Sequence, residues 1–253
     1  MVQLRELISY CDDLLEAERF RDYCPNGLQV EGRTQINKLV SGVTASQALI
    51  DAAIEAGADA LLVHHGYFWK GEDARVVGLK KQRLAALIKA DISLIAYHLP
   101  LDAHPVYGNN VQLAEQLGIT VEGIHPNGSE PSLLMHGHLS QPVSGQRFAR
   151  QIAEALGREP LHIDNMMAQE INSLAWCTGA AQGYIEQAVE LGVDAYITGE
   201  VSEPTVHIAR ETGIHFFAAG HHATERYGVK ALGEHLAENF GLDQQFIDID
   251  NPV

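Results

Sequence analysis

Three groups of side chains in this sequence have the types and spacing to do chemistry together. The adjacent imidazoles of His64 and His65 follow an apolar run at 58–63. His98 and Asp102 form a His-x-x-x-carboxylate unit after the apolar run at 92–97, and His221 and Glu225 repeat that spacing after the run at 214–219. A histidine alone in a loop is ordinarily a polar surface residue, but imidazole nitrogen and carboxylate oxygen gathered at several strand exits suit Mn, Fe, Co, Ni or Zn. The want of thiolate among them speaks against Cu(I). Successive residues of a strand face opposite ways, so His64 and His65 are expected to serve two neighbouring ions rather than one. Residues i and i+4 of a helical turn share a face, which lets His221 and Glu225 converge. Pro100 makes the 98–102 unit a loop in this reading. Two carboxylates offset half the charge of two divalent ions, and the remainder favours a bridging hydroxide, a ready nucleophile.

The elements that would carry these groups alternate along the chain. Leu4, Leu7, Ile8, Cys11, Leu14 and Leu15 recur at helical spacing over 3–17. A Cys-Pro-Asn-Gly turn at 24–27 leads to a short strand at 28–30. Strand signals at 39–43, 58–63 and 92–97 are interleaved with helix signals at 47–57, 79–90 and 109–118. The alternation resumes with strands at 133–139, 171–177, 193–198, 214–219 and 245–249, and helices at 145–157, 183–192, 203–213 and 223–241. Such βα alternation predicts an α/β protein with a substantially parallel sheet. The stretch at 125–132 is rich in turn formers and marks a junction. It divides the chain into expected lobes at 1–126 and 127–253, with the last helix and strand placed to pack back on the first lobe.

Residues 50–60 align without gaps on residues 185–195. Each copy is a helix, a glycine suited to the left-handed C-terminal position (Gly57 or Gly192), then Asp-Ala entering a strand. The first strand runs into His64-His65-Gly66 and the second into Thr198-Gly199-Glu200. Two similar lobes related by duplication are therefore expected. The metal site is expected in the cleft between them, because open α/β sheets bind ligands beyond the carboxyl ends of their strands.

Composition bounds the remaining function classes. The chain has 253 residues, 46% hydrophobic and 20% charged, which is ordinary for a globular protein. No run approaches the ~20 apolar residues of a membrane span, and the opening MVQLRELISY has no apolar core for a secretory signal. Seventeen basic against 33 acidic residues give a net charge of −16. That charge argues against broad-surface nucleic-acid binding. It leaves room for a small anionic substrate, since bound cations reverse the sign locally. Cys11, Cys24 and Cys177 are odd in number and scattered, so neither a disulfide framework nor a zinc–thiolate site is expected, and a cytoplasmic location is. Neither G-x-x-x-x-G-K-[ST] nor G-x-G-x-x-G occurs. His136 and His138 alternate on a strand and share a face without further support for a site. His104, His125, His162, His207, His215 and His235 read as surface or packing residues, and His222 as a neighbour of a ligand candidate.

The segments PNGLQVEG (25–32), GVTAS (42–46), DALLVHHG (59–66), HLPLDAHP (98–105) with GNN (108–110), TGEVSE (198–203) and AGHHATER (219–226) together resemble the NIF-three-like dinuclear metal-centre family, often labelled "GTP cyclohydrolase 1 type 2 homologue". The likeness is greatest to its short bacterial members of the YbgI type, and it covers essentially the whole chain. The resemblance implies two divalent ions per subunit, held by His64, His65, Asp102, His221 and Glu225. Glu225 would bridge, with His64 and Asp102 on one ion and His65 and His221 on the other. His98 and Glu200 would line the pocket, where either could transfer protons. The resemblance also implies a toroidal homohexamer with sites facing an inner cavity. The short junction at 125–132 implies that the extra domain of longer relatives is missing. The activity it suggests is metal-dependent hydrolysis of an unknown small-molecule substrate, with GTP ring opening as one version. The alternative is a non-enzymatic, metal-binding hexameric interaction platform.

Overall fold

A strand with apolar side chains on both faces needs cover on both sides, and the central strands of this protein are of that kind. The computed structural model describes residues 1–126, 131–164 and 170–253, so residues 127–130 of the expected junction lie outside the described residues. Contacts gather the chain into two units, Met1–Gly108 with Gly228–Asp250 and Asn109–Tyr227 with Asn251–Val253. The chain thus changes units at 108/109, 227/228 and 250/251 rather than at 126/127. The reason for the first displacement is that Leu113, Ala114 and Leu117 are packed in one core with Phe148, Leu174 and Ile197.

The first unit opens with β1 (Val2–Gln3), α1 (Leu4–Leu14), β2 (Gly27–Val30), β3 (Gln35–Ile36) and β4 (Lys38–Thr44). It continues through α2 (Gln47–Glu55), β5 (Ala60–His65), α3 (Gly78–Ala90), β6 (Ser93–Ala96) and α4 (Leu99–Ala103). The second unit holds α5 (Asn109–Gln116), β7 (Ile119–Ile124), β8 (Met135–Val143), α6 (Gly145–Leu156), β9 (Leu161–Ile163) and β10 (Ile171–Trp176). It goes on with α7 (Ile185–Leu191), β11 (Ala195–Thr198), α8 (Glu203–Thr212) and β12 (His215–Ala218). The chain leaves it inside α9 (His221–Phe240) and adds β13 (Asp243–Phe246) to the first unit.

The first unit's larger sheet has the order β13-β4-β5-β6-β2. Its strands are parallel except β2, which runs against β6. The alternation along β5 is visible in its packing. Ala60 and Leu62 join Leu4, Leu7, Val229, Leu232 and Leu236 of α1 and α9. Leu61 and Val63 join Leu49, Ile50, Leu84 and Leu87 of α2 and α3. The second unit's sheet has the order β7-β8-β10-β11-β12-β9. Only β10, β11 and β12 are parallel; β7, β8 and β9 add antiparallel margins. One face carries Phe148 and Ile152 of α6 and the other Ile185, Ala188 and Ala209 of α7 and α8. A substantially parallel sheet therefore describes the first unit better than the second. The last strand begins at Asp243, two residues before its expected start, because Asp243 pairs with Lys38 on β4.

The two aligned segments adopt the same local structure. Gly57 (φ +71°) and Gly192 (φ +69°) follow α2 and α7 in the left-handed region. Asp59 Oδ2 then accepts from the backbone N–H groups of Asn37 and Lys38 at 2.9 Å each. Asp194 Oδ2 accepts from those of Asn172 and Ser173 at 3.0 and 2.8 Å. Each aspartate thus ties the entry of its own strand to the start of the neighbouring one.

Removing either carboxylate strands two donors. Asp59→Ala and Asp194→Ala are each expected to cost about 1–3 kcal/mol of stability, read from urea unfolding. Burial pushes the Asp59 carboxyl up, but the N–H groups of Lys38 and Asn37 and the Arg33 guanidinium outweigh it and hold the group below its ordinary value. A depressed folded pKa contributes stability above the unfolded value of about 3.9 and loses it as pH falls through the folded one. The wild type should therefore lose stability on acidification below pH ~4, and Asp59→Asn should flatten that part of the profile.

Candidate metal centre

The ligand-type side chains of the first unit collect at the carboxyl ends of β5 and β6. His64 is fully buried, and its Nδ1 lies 2.9 Å from the carbonyl oxygen of Tyr97. A carbonyl only accepts, so Nδ1 carries the proton and Nε2 the lone pair. Nε2 stands 3.5 Å from Asp102 Oδ1, itself almost buried. Two electron-rich atoms face one another there out of water, an arrangement that a cation, or a second proton on His64, reconciles. This donor chemistry fits a divalent ion. His65 is half-buried, with its Nδ1 3.1 Å from Thr44 Oγ1 on β4.

Two expectations about this end of the sheet need correction. The rings of His64 and His65 do not diverge: their centroids are 4.5 Å apart and their planes inclined at 46°, although both residues lie on β5 and His65 is still in register with Thr44. The unit at 98–102 is not a loop. Leu99–Ala103 is a short helix with Pro100 in its first turn, where a missing N–H costs nothing. The backbone N–H groups of Leu101 and Asp102 both donate to the His98 carbonyl. His98 and Asp102 are therefore joined by a helical turn, as His221 and Glu225 are.

His98 is held from behind. Its Nδ1 donates to Asp22 Oδ1 at 2.6 Å, while its backbone N–H donates to Asn26 Oδ1 at 2.8 Å. Asp22 also accepts from the N–H groups of Leu99 and Tyr23 and from the Asn26 amide. Burial would raise the Asp22 carboxyl, but these bonds, led by that from His98, keep it below its ordinary value. His64, His65 and His98 each offer a nitrogen, and these nitrogens lie within 4.8 Å of one another. The Trp69 ring meets that of His98 edge-on at 5.0 Å.

In the second unit the corresponding strand exits are those of β11 and β12. The last helix begins at His221, two residues earlier than its sequence pattern suggests, so His221 and Glu225 share its first turns. His221 Nδ1 donates to Glu200 Oε1 at 2.7 Å, and its Nε2 lies 3.2 Å from Glu225 Oε2. Burial would lower the His221 pKa, but Glu225 and then Glu200 reverse that and push it up to about 9. Without an ion, a proton on Nε2 occupies the place a cation would take.

Gly179 is the residue that sequence reasoning missed here. It sits on the loop after β10 with φ +68°, and a Cβ on it would collide with Glu225 Oε1. Its N–H donates to Thr224 Oγ1 at 3.1 Å, and its carbonyl accepts from the Gly199 N–H at 2.9 Å. Asp22, Asn26 and Gln29 were missed in the same way. Gln29 holds the chain after His65, its amide accepting from the Tyr67 N–H at 2.7 Å and donating to the Tyr67 carbonyl at 3.2 Å. Asn26 and Gln29 fall in the segment 25–32 that carries part of the resemblance, whereas Asp22 and Gly179 lie outside every such segment.

The other histidines are spread over each unit. His136 and His138 do share a face, with Glu122 Oε1 2.9 Å from His138 Nδ1 in an exposed position. His235 bonds the hydroxyls of Tyr10 and Tyr107, and His207 pairs with Glu203 on an exposed helix face. His222 is buried beside His221, its N–H donating to the Val253 carbonyl. The three cysteines are buried free thiols, and burial pushes Cys24 up to about 12. Among the described residues, no helix is long and apolar enough to cross a membrane.

Comparison with known proteins matches the chain as a whole to a defined group. The sequence model described as Duf34/NIF3 (NGG1p interacting factor 3) matches residues 2–252. A Pseudomonas aeruginosa protein named "GTP cyclohydrolase 1 type 2 homolog" is 61% identical over 252 residues, spanning 100% of this chain and 99% of its own. The solved structure of protein ybgI, described as of unknown function, superposes with a TM-score of 0.95 at 53% identity and covers 100% of both chains. That of TTHA1606 from Thermus thermophilus superposes with a TM-score of 0.89 at 33% identity, again over 100% of both.

Gly179→Ala must push Glu225 aside. It is expected to weaken divalent-metal binding about 10–100-fold, the range for disturbed ligand support, with far-ultraviolet circular dichroism unchanged. Competition against a chromophoric chelator measures it.

Proposed function

The chain belongs to the Duf34/NIF3 (NGG1p interacting factor 3) family, and from that premise we propose that it is a metal-dependent hydrolase whose two ligand sets meet around a pair of divalent ions. In this reading His64 and Asp102 would hold one ion and His65 and His221 the other, with Glu225 shared between them. The lobes carrying these sets descend, in this reading, from one duplicated unit. The equal roles of Asp59 and Asp194 support the duplication. The observation that carries the metal reading is the state of the imidazoles. In His64 and His221 an oxygen acceptor takes the Nδ1 proton, which leaves Nε2 to coordinate beside a carboxylate. Nitrogen with carboxylate suits Mn, Fe, Co, Ni or Zn.

When bound, two such ions supply an activated water and stabilise charge developing on the substrate. The protein's own residues do the rest. His98, its Nδ1 fixed on Asp22, directs Nε2 toward the same end of the sheet as His64 and His65 and serves to move a proton there. For Glu200 the bond to His221 supports a positioning role, holding the imidazole in the tautomer that coordinates. Trp69 supplies an apolar wall beside His98. The relatives' name makes opening of the GTP purine ring the first reaction to try. The family resemblance adds a toroidal homohexamer, which light scattering would check, and the scattered free cysteines suit a cytoplasmic location; a mass other than a hexamer's removes the ring.

The test is turnover of a GTP-centred panel by protein loaded with the metal found in it on gentle purification. His65→Ala and Glu225→Ala should lose metal and activity together. His98→Gln should keep its metal and lose about 10²–10⁴-fold in kcat. Equal turnover by all of them would dismiss this centre as the catalyst. Chelation separates catalysis from the alternative of a metal-held interaction platform: a catalyst loses turnover while keeping its fold and assembly, whereas a platform loses its assembly.

A further inference from the structure

At the end of the second unit's sheet away from His221, β9 and β12 bring together a separate group of ligand-type side chains. The two strands run antiparallel in the register Ile163 to Phe216, His162 to Phe217 and Leu161 to Ala218, which sets Asp164 opposite His215. Facing and next-but-one residues of such a pair share a side of the sheet. His162, Asp164, His215 and Phe217 therefore point the same way.

The distances suit one ion. His162 Nε2 and His215 Nδ1 are 3.1 Å apart, His215 Nδ1 and Asp164 Oδ1 3.3 Å, and His162 Nε2 and Asp164 Oδ1 3.8 Å. Atoms bonded at ~2.0–2.1 Å to a tetrahedral zinc lie about 3.3–3.4 Å from one another. The triangle needs only small movements to close on a cation. The rings are also held in place. His162 lies flat on Phe217 at 4.3 Å and 10°, and its centroid is 5.3 Å from that of His215. Gly145, at the start of α6, backs both rings: a Cβ there would come within 2.7 Å of Cε1 of each. His215 is buried while the Asp164 side chain is 54% exposed, so the site opens to solvent on one side.

We propose that His162, Asp164 and His215 form a mononuclear site for a borderline divalent cation of the zinc type, distinct from the ligands at the other end of the sheet. The three side chains leave a fourth position for water or another ligand. Bound there, the ion clips the end of edge strand β9 to β12.

The full-length protein, stripped of metal, is titrated with zinc alone against a chromophoric chelator, and bound zinc is counted by elemental analysis. His162→Gln and Asp164→Asn are each expected to remove one equivalent per chain or weaken it at least about 10-fold. Glu225→Gln should retain that equivalent while losing others. Zinc should raise the Tm of the wild type and of Glu225→Gln by more than that of Asp164→Asn. Asp164 is half-exposed, so its variant folds and keeps the test decisive. Equal zinc stoichiometry, affinity and Tm response in wild type and Asp164→Asn would overturn the site.

Discussion

An imidazole accepts a cation only through the nitrogen that carries a lone pair, and the partner of its other nitrogen decides which one that is. The rest of this site depends on that constraint. Tyr97 gives a carbonyl to His64, Asp22 a carboxylate to His98 and Glu200 a carboxylate to His221. Each acceptor takes the Nδ1 proton and leaves Nε2 for chemistry. Acceptors that fix a tautomer also fix a ring plane, so each of these histidines is oriented before anything binds.

Placing such groups in a nearly dry environment restricts the chain around them. Where Glu225 is buried, the backbone of Gly179 comes so close that no side chain fits there, and it must also take a positive φ. Thr224 accepts from Gly179 and donates to the Gly220 carbonyl, which ties the loop after β10 to the first turn of α9. In the first unit Gln29 does comparable work, its side-chain amide bonding both backbone groups of Tyr67 just beyond His65. These supports carry no charge and ligate nothing. They hold the backbone beside the candidate ligands.

The fold supplies the common direction. Parallel strands end together, so polar residues placed just beyond β5 and β6, or beyond β11 and β12, project from one end of each sheet. The strands stay buried on both faces, with Leu61 and Val63 packed on one side of β5 and Ala60 and Leu62 on the other. Pro100 shows how local chemistry adapts to this plan. In the first turn of a helix its missing N–H is no loss, so the short α4 forms directly after His98 and carries Asp102 round to His64.

From the sequence alone came the residues whose types suit a metal, their positions at the exits of apolar strands, the βα alternation and the family. These are properties of residue type and spacing along the chain, and such signals survive without coordinates. The aspartates Asp59 and Asp194 were visible as an aligned pair, although the backbone N–H groups they bind were not. Only the tertiary structure decided which nitrogen of each imidazole is held, that His64 and His65 bend together rather than apart, and that α5 belongs with Phe148 and Leu174. It alone brought Asp22 to His98, Gly179 to Glu225, and His162 to His215. The physical reason is common to all of these. A hydrogen-bond partner, a steric limit and a cross-strand neighbour are relations between residues far apart in the chain, and local pattern holds no record of distances that folding alone creates.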